Sequence, residues 1–169
     1  MKLNKDFNQI KAEVYDKCLL EISDFKIESE SKEYNACTFK LNELNIISRT
    51  SKITPKKVGQ FVTFWKRNKK GQIEPFDEND QIDFFVVNVR AKNKFGQFVF
   101  PKSVLIKHGI ISTLNKEGKR AFRIYTTWDT IKNKQAKETQ KWQMNYFYHI
   151  NCFTDIKKVN ILYNKKHTA

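Results

Sequence analysis

Residues 82–90, IDFFVVNVR, are apolar at six of nine positions. A strand of this kind has no face to offer to water, so it belongs in the middle of a sheet covered on both sides. Its partner follows directly. KNKFG turns the chain, and QFVFP (97–101) returns as an antiparallel neighbour that Pro101 ends by removing a ladder donor. The flanking segments supply further strands and covering helices. Residues 6–19 place Phe7, Ile10, Val14 and Cys18 on one helical stripe, and two short strands, 34–41 and 44–50, read as a hairpin. Thr54-Pro55 predicts a helix start, with Gly59 ending a short helical turn. FVTFWKRN (61–68) predicts a strand that KKGQ turns back into IEPF. KSVLIKHGI (102–110) predicts a short helix, RAFRIYTTW (120–128) a strand and residues 133–150 a second long helix. The tail DIKKVNILYNKKHTA predicts a last short strand with a basic end. The expected fold is α/β (α+β): one domain over residues 1–169, with a mixed central sheet flanked by helices.

No apolar run reaches the roughly 18 residues that a membrane helix needs, and MKLNKDFNQI lacks the apolar segment of a signal peptide. Cys18, Cys37 and Cys152 are an odd number without zinc or CxxC spacing. The expectation is a cytoplasmic protein with reduced thiols and neither metal nor cofactor. No Walker-type, GxGxxG or GxSxG loop occurs. His108, His149 and His167 have no base-and-nucleophile pattern around them and read as surface or packing histidines.

The formal net charge of +14 is unevenly distributed. Residues 1–43 carry −2, 44–73 carry +8 with no acid, 74–83 carry −5, and 84–169 carry +13. Lysine-rich composition alone would spread the excess, so this segregation favours a polyanion-binding surface. The acid-free stretch ISRTSKITPKKVGQFVTFWKRNKK sets Arg49, Lys52, Lys56, Lys57, Lys66, Arg67, Lys69 and Lys70 around Phe61, Phe64 and Trp65. Cations hold phosphates, and flat rings beside them stack unpaired bases. Alternation sends Phe64 and Trp65 to opposite faces, which leaves Trp65 as the stacking candidate. Lys102, Arg120, Arg123 and Lys141 extend the expected phosphate track. Gln140 and Gln143 fall on the stripe of Ala136 and Phe147, where they either hydrogen-bond in the core or face a groove. Trp128 and Trp142 read as packing residues, and Asp129 as a capping or orienting one.

An acidic residue opening one strand, with a lysine just past the equivalent point of the next, is a layout of metal-dependent nucleases. Asp83 and Lys102 fit it, but the place of the second carboxylate is taken by Phe100, whose ring cannot bind a metal. Asp77 and Asp80 are the available substitutes, in an expected loop.

ACTFKLNELNIISRTSKITPKKVGQFVTFWKRN, IEPF, GQFVFPKSVLIKHGIIS, NKEGKRAFRIY and QKWQ together resemble the bacterial MepB-like family, over roughly residues 15–148. The family takes its name from a multidrug-export operon. The resemblance implies a fold related to the PD-(D/E)XK endonucleases (restriction-endonuclease-like), with nucleic-acid binding and a degenerate catalytic centre. The expected function is non-catalytic binding of single-stranded DNA or RNA with low sequence specificity. The alternatives are a Mg²⁺-dependent nuclease using Asp83, and a basic adaptor for an acidic protein partner.

Overall fold

A computed structural model describes residues 4–164. Asn4 caps α1 (Lys5–Ile10) by accepting the Phe7 N–H at 2.8 Å. The helix widens into a π-type turn over Lys11–Tyr15 and stops before residue 19, where Leu19 adopts φ 56°. Three strands follow, β1 (Ile22–Ile27), β2 (Cys37–Leu41) and β3 (Leu44–Thr50). Next come β4 (Lys52–Thr54), β5 (Lys57–Thr63), β6 (Lys66–Arg67) and β7 (Ile73–Glu74). The apolar run is β8 (Phe84–Ala91), and its partner is β9 (Lys94–Pro101). The chain ends with α2 (Lys102–Lys107), β10 (Ala121–Ile124), α3 (Lys134–Gln143), β11 (Phe147–His149) and α4 (Ile156–Asn164).

The main sheet has the order β1-β2-β3-β8-β9-β11, in which β3 and β8 run parallel and the other neighbours antiparallel. β8 is central, as its composition requires. Its pleat sends Phe84 and Val86 towards α1 and α4, and Phe85, Val87 and Val89 to the other face. That second face is covered by α2, by aromatic residues around α3, and by a small sheet of order β10-β5-β4. The protein is thus a single mixed α+β domain in three layers. The sequence reading had not separated the small sheet, or the β6–β7 ribbon, from the main one.

Five expected elements differ. Thr54 and Pro55 start no helix; they lead into the turn between β4 and β5. The Thr54 hydroxyl accepts from Arg123 Nη2 at 2.8 Å instead of capping a helix, and the same nitrogen donates to the carbonyls of Lys57 and Gly59. The strand expected at 61–68 breaks after Thr63, and the one at 120–128 ends at Ile124. The helix expected to 150 ends at Gln143 and passes through a 3-10 turn into β11. There Phe147 packs over Gly96, where an added Cβ would lie 2.5 Å from the ring, so pairing with β9 outweighs local helix propensity. The expected C-terminal strand is α4, because Val159, Leu162 and Tyr163 recur at helical spacing and are buried. Its expected basic end, and His167, lie outside the described residues. Among the described residues, no helix is long and apolar enough to cross a membrane.

Candidate nucleic-acid interface

Asp83 and Lys102 meet at one end of the main sheet, where the Lys102 N–H donates to the Asp83 carbonyl at 3.0 Å. The Asp83 carboxylate is already engaged, with Oδ2 accepting the Asn45 N–H at 2.7 Å. The Lys102 ammonium donates to the Asp80 carbonyl at 2.5 Å. Phe100 is 0% exposed and stacks on Phe98, with Phe122, Trp142 and Tyr146 around it. The substitute carboxylates Asp77 and Asp80 receive the Lys66 ammonium at 2.6 and 2.8 Å, with Glu74 at 3.6 Å. Burial opposes the charge on Lys66, but the hydrogen bonds to Asp77 and Asp80 outweigh it and raise its pKa. The bond from Lys66 in turn holds the Asp77 carboxyl below its ordinary range. Among the described residues, no three His, Cys, Asp or Glu side chains are grouped to hold a metal ion. The cation sitting among these carboxylates is an ammonium.

The basic segment 47–70 divides into an inward and an outward set. Arg49, expected on the phosphate track, is 2% exposed; it donates from Nη2 to Glu28 at 2.7 Å and from Nη1 to the Ser48 carbonyl. A side chain held in this way presents no charge to a ligand. Lys66 is held as described. Arg67 donates to both oxygens of Glu30 and lies over the Trp65 ring, 5.5 Å from its centroid. Trp65 lies beyond the end of β5, next to the fully buried Phe64, and its half-buried indole already has a cationic neighbour. Lys52 is exposed and lies over Tyr34, while Lys56 and Lys57 project from the β4–β5 turn with no carboxylate partner among the described residues.

The remaining arginines are also engaged within the protein. Arg90 pairs with Asp6 and covers Phe95, Arg120 pairs with Glu117, and Arg123 ties the β4–β5 turn. All five arginines of the chain thus have internal partners, and the freely presented positive charge is lysine. Lys134, Lys137 and Lys141 add to it along one side of α3, at three- and four-residue spacing.

Between α3 and β10 lies a groove that the sequence reading did not place. Its register depends on the two glutamines. Gln143 is buried; its Oε1 accepts the Tyr125 N–H at 2.9 Å and its Nε2 donates to the Arg123 carbonyl at 3.0 Å. Gln140 donates to the Thr126 carbonyl, and Asp129 caps Thr126 through both its N–H and its hydroxyl. The groove consists of two adjoining cavities of about 370 and 620 Å³ that share Arg123, Tyr125, Asn133 and Ala136. His108 and Trp142, stacked at 3.9 Å and 9°, close the first, while Lys57 and Lys132 flank the second. Burial, with Lys107 nearby, lowers the His108 pKa and favours the neutral ring. No Asp or Glu lines either cavity. Tyr125, Lys119 and Lys132 are among the lining residues that sequence reasoning missed. The alternation of AFRIY, with Phe122 and Ile124 buried, is the signal that places Arg123 and Tyr125 together on the outer side.

The profile of the family described as MepB-like matches residues 28–149. The crystal structure of MepB is 33% identical and superposes with a TM-score of 0.76, covering 88% of this chain and 99% of its own. A bacterial homing endonuclease, I-Ssp6803I, is 17% identical with a TM-score of 0.42, covering 82% of this chain and 88% of its own, a likeness too distant to place any residue. No curated protein matches. The extent of the profile match and the shared fold at 33% identity show that this chain belongs to the MepB-like family.

Proposed function

We propose that this protein binds nucleic acid without cutting it, prefers single-stranded DNA or RNA, and has little sequence specificity. The observation that carries this reading is the acid-free groove between α3 and β10, bordered by Lys57 from the β4–β5 turn and by Lys119 and Lys132. Lysine acts as a point charge on phosphates, whereas bidentate reading of base edges needs a free arginine fork. With every arginine engaged internally, low specificity follows. The buried Phe100 and the Lys66 ammonium between Asp77 and Asp80 support the non-catalytic part.

Salt dependence tests the binding surface. With about five phosphates engaged, log K against log salt should fall with a single-strand slope of roughly −3.5, about a hundredfold loss between roughly 50 and 200 mM. Replacing Lys56 and Lys57 together by Ala should flatten that slope by about 1.4 and leave the thermal midpoint unchanged. An unchanged slope would move the interface off the β4–β5 turn.

Incubation of wild type with single- and double-stranded substrates in Mg²⁺ or Mn²⁺ should give no product. Metal-dependent cleavage that disappears in Asp83→Ala would establish the nuclease instead. Affinity for polyglutamate equal to that for an oligonucleotide of matched charge would favour the acidic-partner adaptor.

A further inference from the structure

Tyr125 occupies an unusual place in the groove. It lies just beyond the end of β10 on the outward side of the alternation and borders both cavities. Its ring rests on Gly59, where an added Cβ would come within 2.5 Å of Tyr125 Cδ1 and 2.7 Å of the Ile124 carbonyl. Gly59 itself is at φ 79°, a conformation other residues rarely adopt, so both the backbone and the close approach call for glycine there. From the other side, Gln143 takes the Tyr125 N–H, and Arg123, two residues earlier, is fastened into the β4–β5 turn. The ring is thus a half-buried aromatic set in place before any ligand arrives, which reduces the ordering cost of binding.

The two cavities that it borders differ in character. The smaller offers Asn133, Gln135 and Lys119 beside the His108–Trp142 stack, whereas the larger has Val58 and Ile131 beside Lys57 and Lys132. Both put an aromatic or apolar wall next to ammonium groups, without a carboxylate in either. A nucleotide has the matching parts, a flat apolar base joined to an anionic phosphate. An acidic peptide supplies the charge but no regular flat face.

We infer that Tyr125 is a base-stacking platform at the junction of the two cavities, so that an unpaired base of a single strand stacks on the side of the ring that Gly59 leaves open. This rests on the nucleic-acid reading above and assigns the contact that makes it selective for unpaired bases. Duplex bases, stacked on one another, do not reach the ring.

The test uses the full chain with a labelled oligothymidylate and an abasic oligophosphate of equal length. Tyr125→Leu keeps apolar bulk and removes the flat face. It should weaken oligothymidylate binding about 5- to 150-fold, with the salt slope and the abasic affinity unchanged. Tyr125→Phe should bind as wild type. Oligothymidylate affinity unaltered in Tyr125→Leu would overturn the platform. Independently of any variant, irradiation of wild type with a 5-bromouridine oligonucleotide should give an adduct at Tyr125, and adducts only elsewhere would also overturn it. Wild type that does not distinguish oligothymidylate from the abasic chain would instead defeat the nucleic-acid reading as a whole, and polyglutamate displacing either probe at equal charge would assign the groove to an acidic polypeptide.

Discussion

Phe100→Asp should unfold the domain rather than supply the missing carboxylate of a nuclease. The side chain is fully buried, with ring centroids of Phe98 and Trp142 at 5.3 and 5.5 Å and of Phe122 and Tyr146 at 6.2 Å. Removing a buried phenyl ring costs about 3–5 kcal/mol before any charge is considered. A carboxylate placed there finds no cation, because the nearby ammonium groups of Lys66 and Lys102 are held by the 77–80 loop. Its unpaired burial adds several kcal/mol more, and the total is comparable with the roughly 5–15 kcal/mol that holds a whole domain together. Thermal or urea unfolding should show no cooperative transition for Phe100→Asp. Phe100→Leu should remain folded, and neither variant should cut nucleic acid. A cooperatively folded Phe100→Asp with Mg²⁺-dependent activity would mean that the sheet end is a competent metal site lacking one ligand.

Arg49→Ala should lose about 3 kcal/mol of stability and leave the salt dependence of nucleic-acid binding untouched. The guanidinium is 2% exposed and its partner Glu28 29%, so removing the arginine strands a partly buried carboxylate and leaves a cavity; loss of one member of a fully buried pair costs about 3–5 kcal/mol. The double replacement of Lys56 and Lys57 should do the reverse, changing the slope and sparing stability. Urea titrations and salt titrations on the two variants make a crossed comparison. A flattened slope in Arg49→Ala would put its guanidinium on the ligand, against its burial.

What could be read in the sequence was whatever local chemistry decides. The β8–β9 pair was legible because a mostly apolar run, a turn and a proline leave little choice, and the β2–β3 hairpin was legible for similar reasons. Thr54-Pro55 misled because a helix cap and a strand turn use the same two residues; the choice was made by Arg123, which is far along the chain. Residues 144–149 continue a helical stripe, yet they form a turn and a strand because Gly96 leaves room for the Phe147 ring. The candidate site was legible as charge but not as geometry. Counting cations in 47–70 could not distinguish Lys56, which projects outward, from Arg49, which meets Glu28 in the core. Segment charge marked 74–83 as acidic without indicating that Lys66 would be its counter-ion. The groove was invisible because its walls come from β10 and α3, and only the folded chain brings them together.

Gln143 has one more consequence. Bare strand margins invite sheets from neighbouring copies of a protein to fuse. β10 lies at the margin of the small sheet, and the primary amide of Gln143 meets the Tyr125 N–H and the Arg123 carbonyl much as the next strand would. The side chain thereby acts as a one-residue stopper. It keeps the small sheet from growing into a neighbour's at that margin.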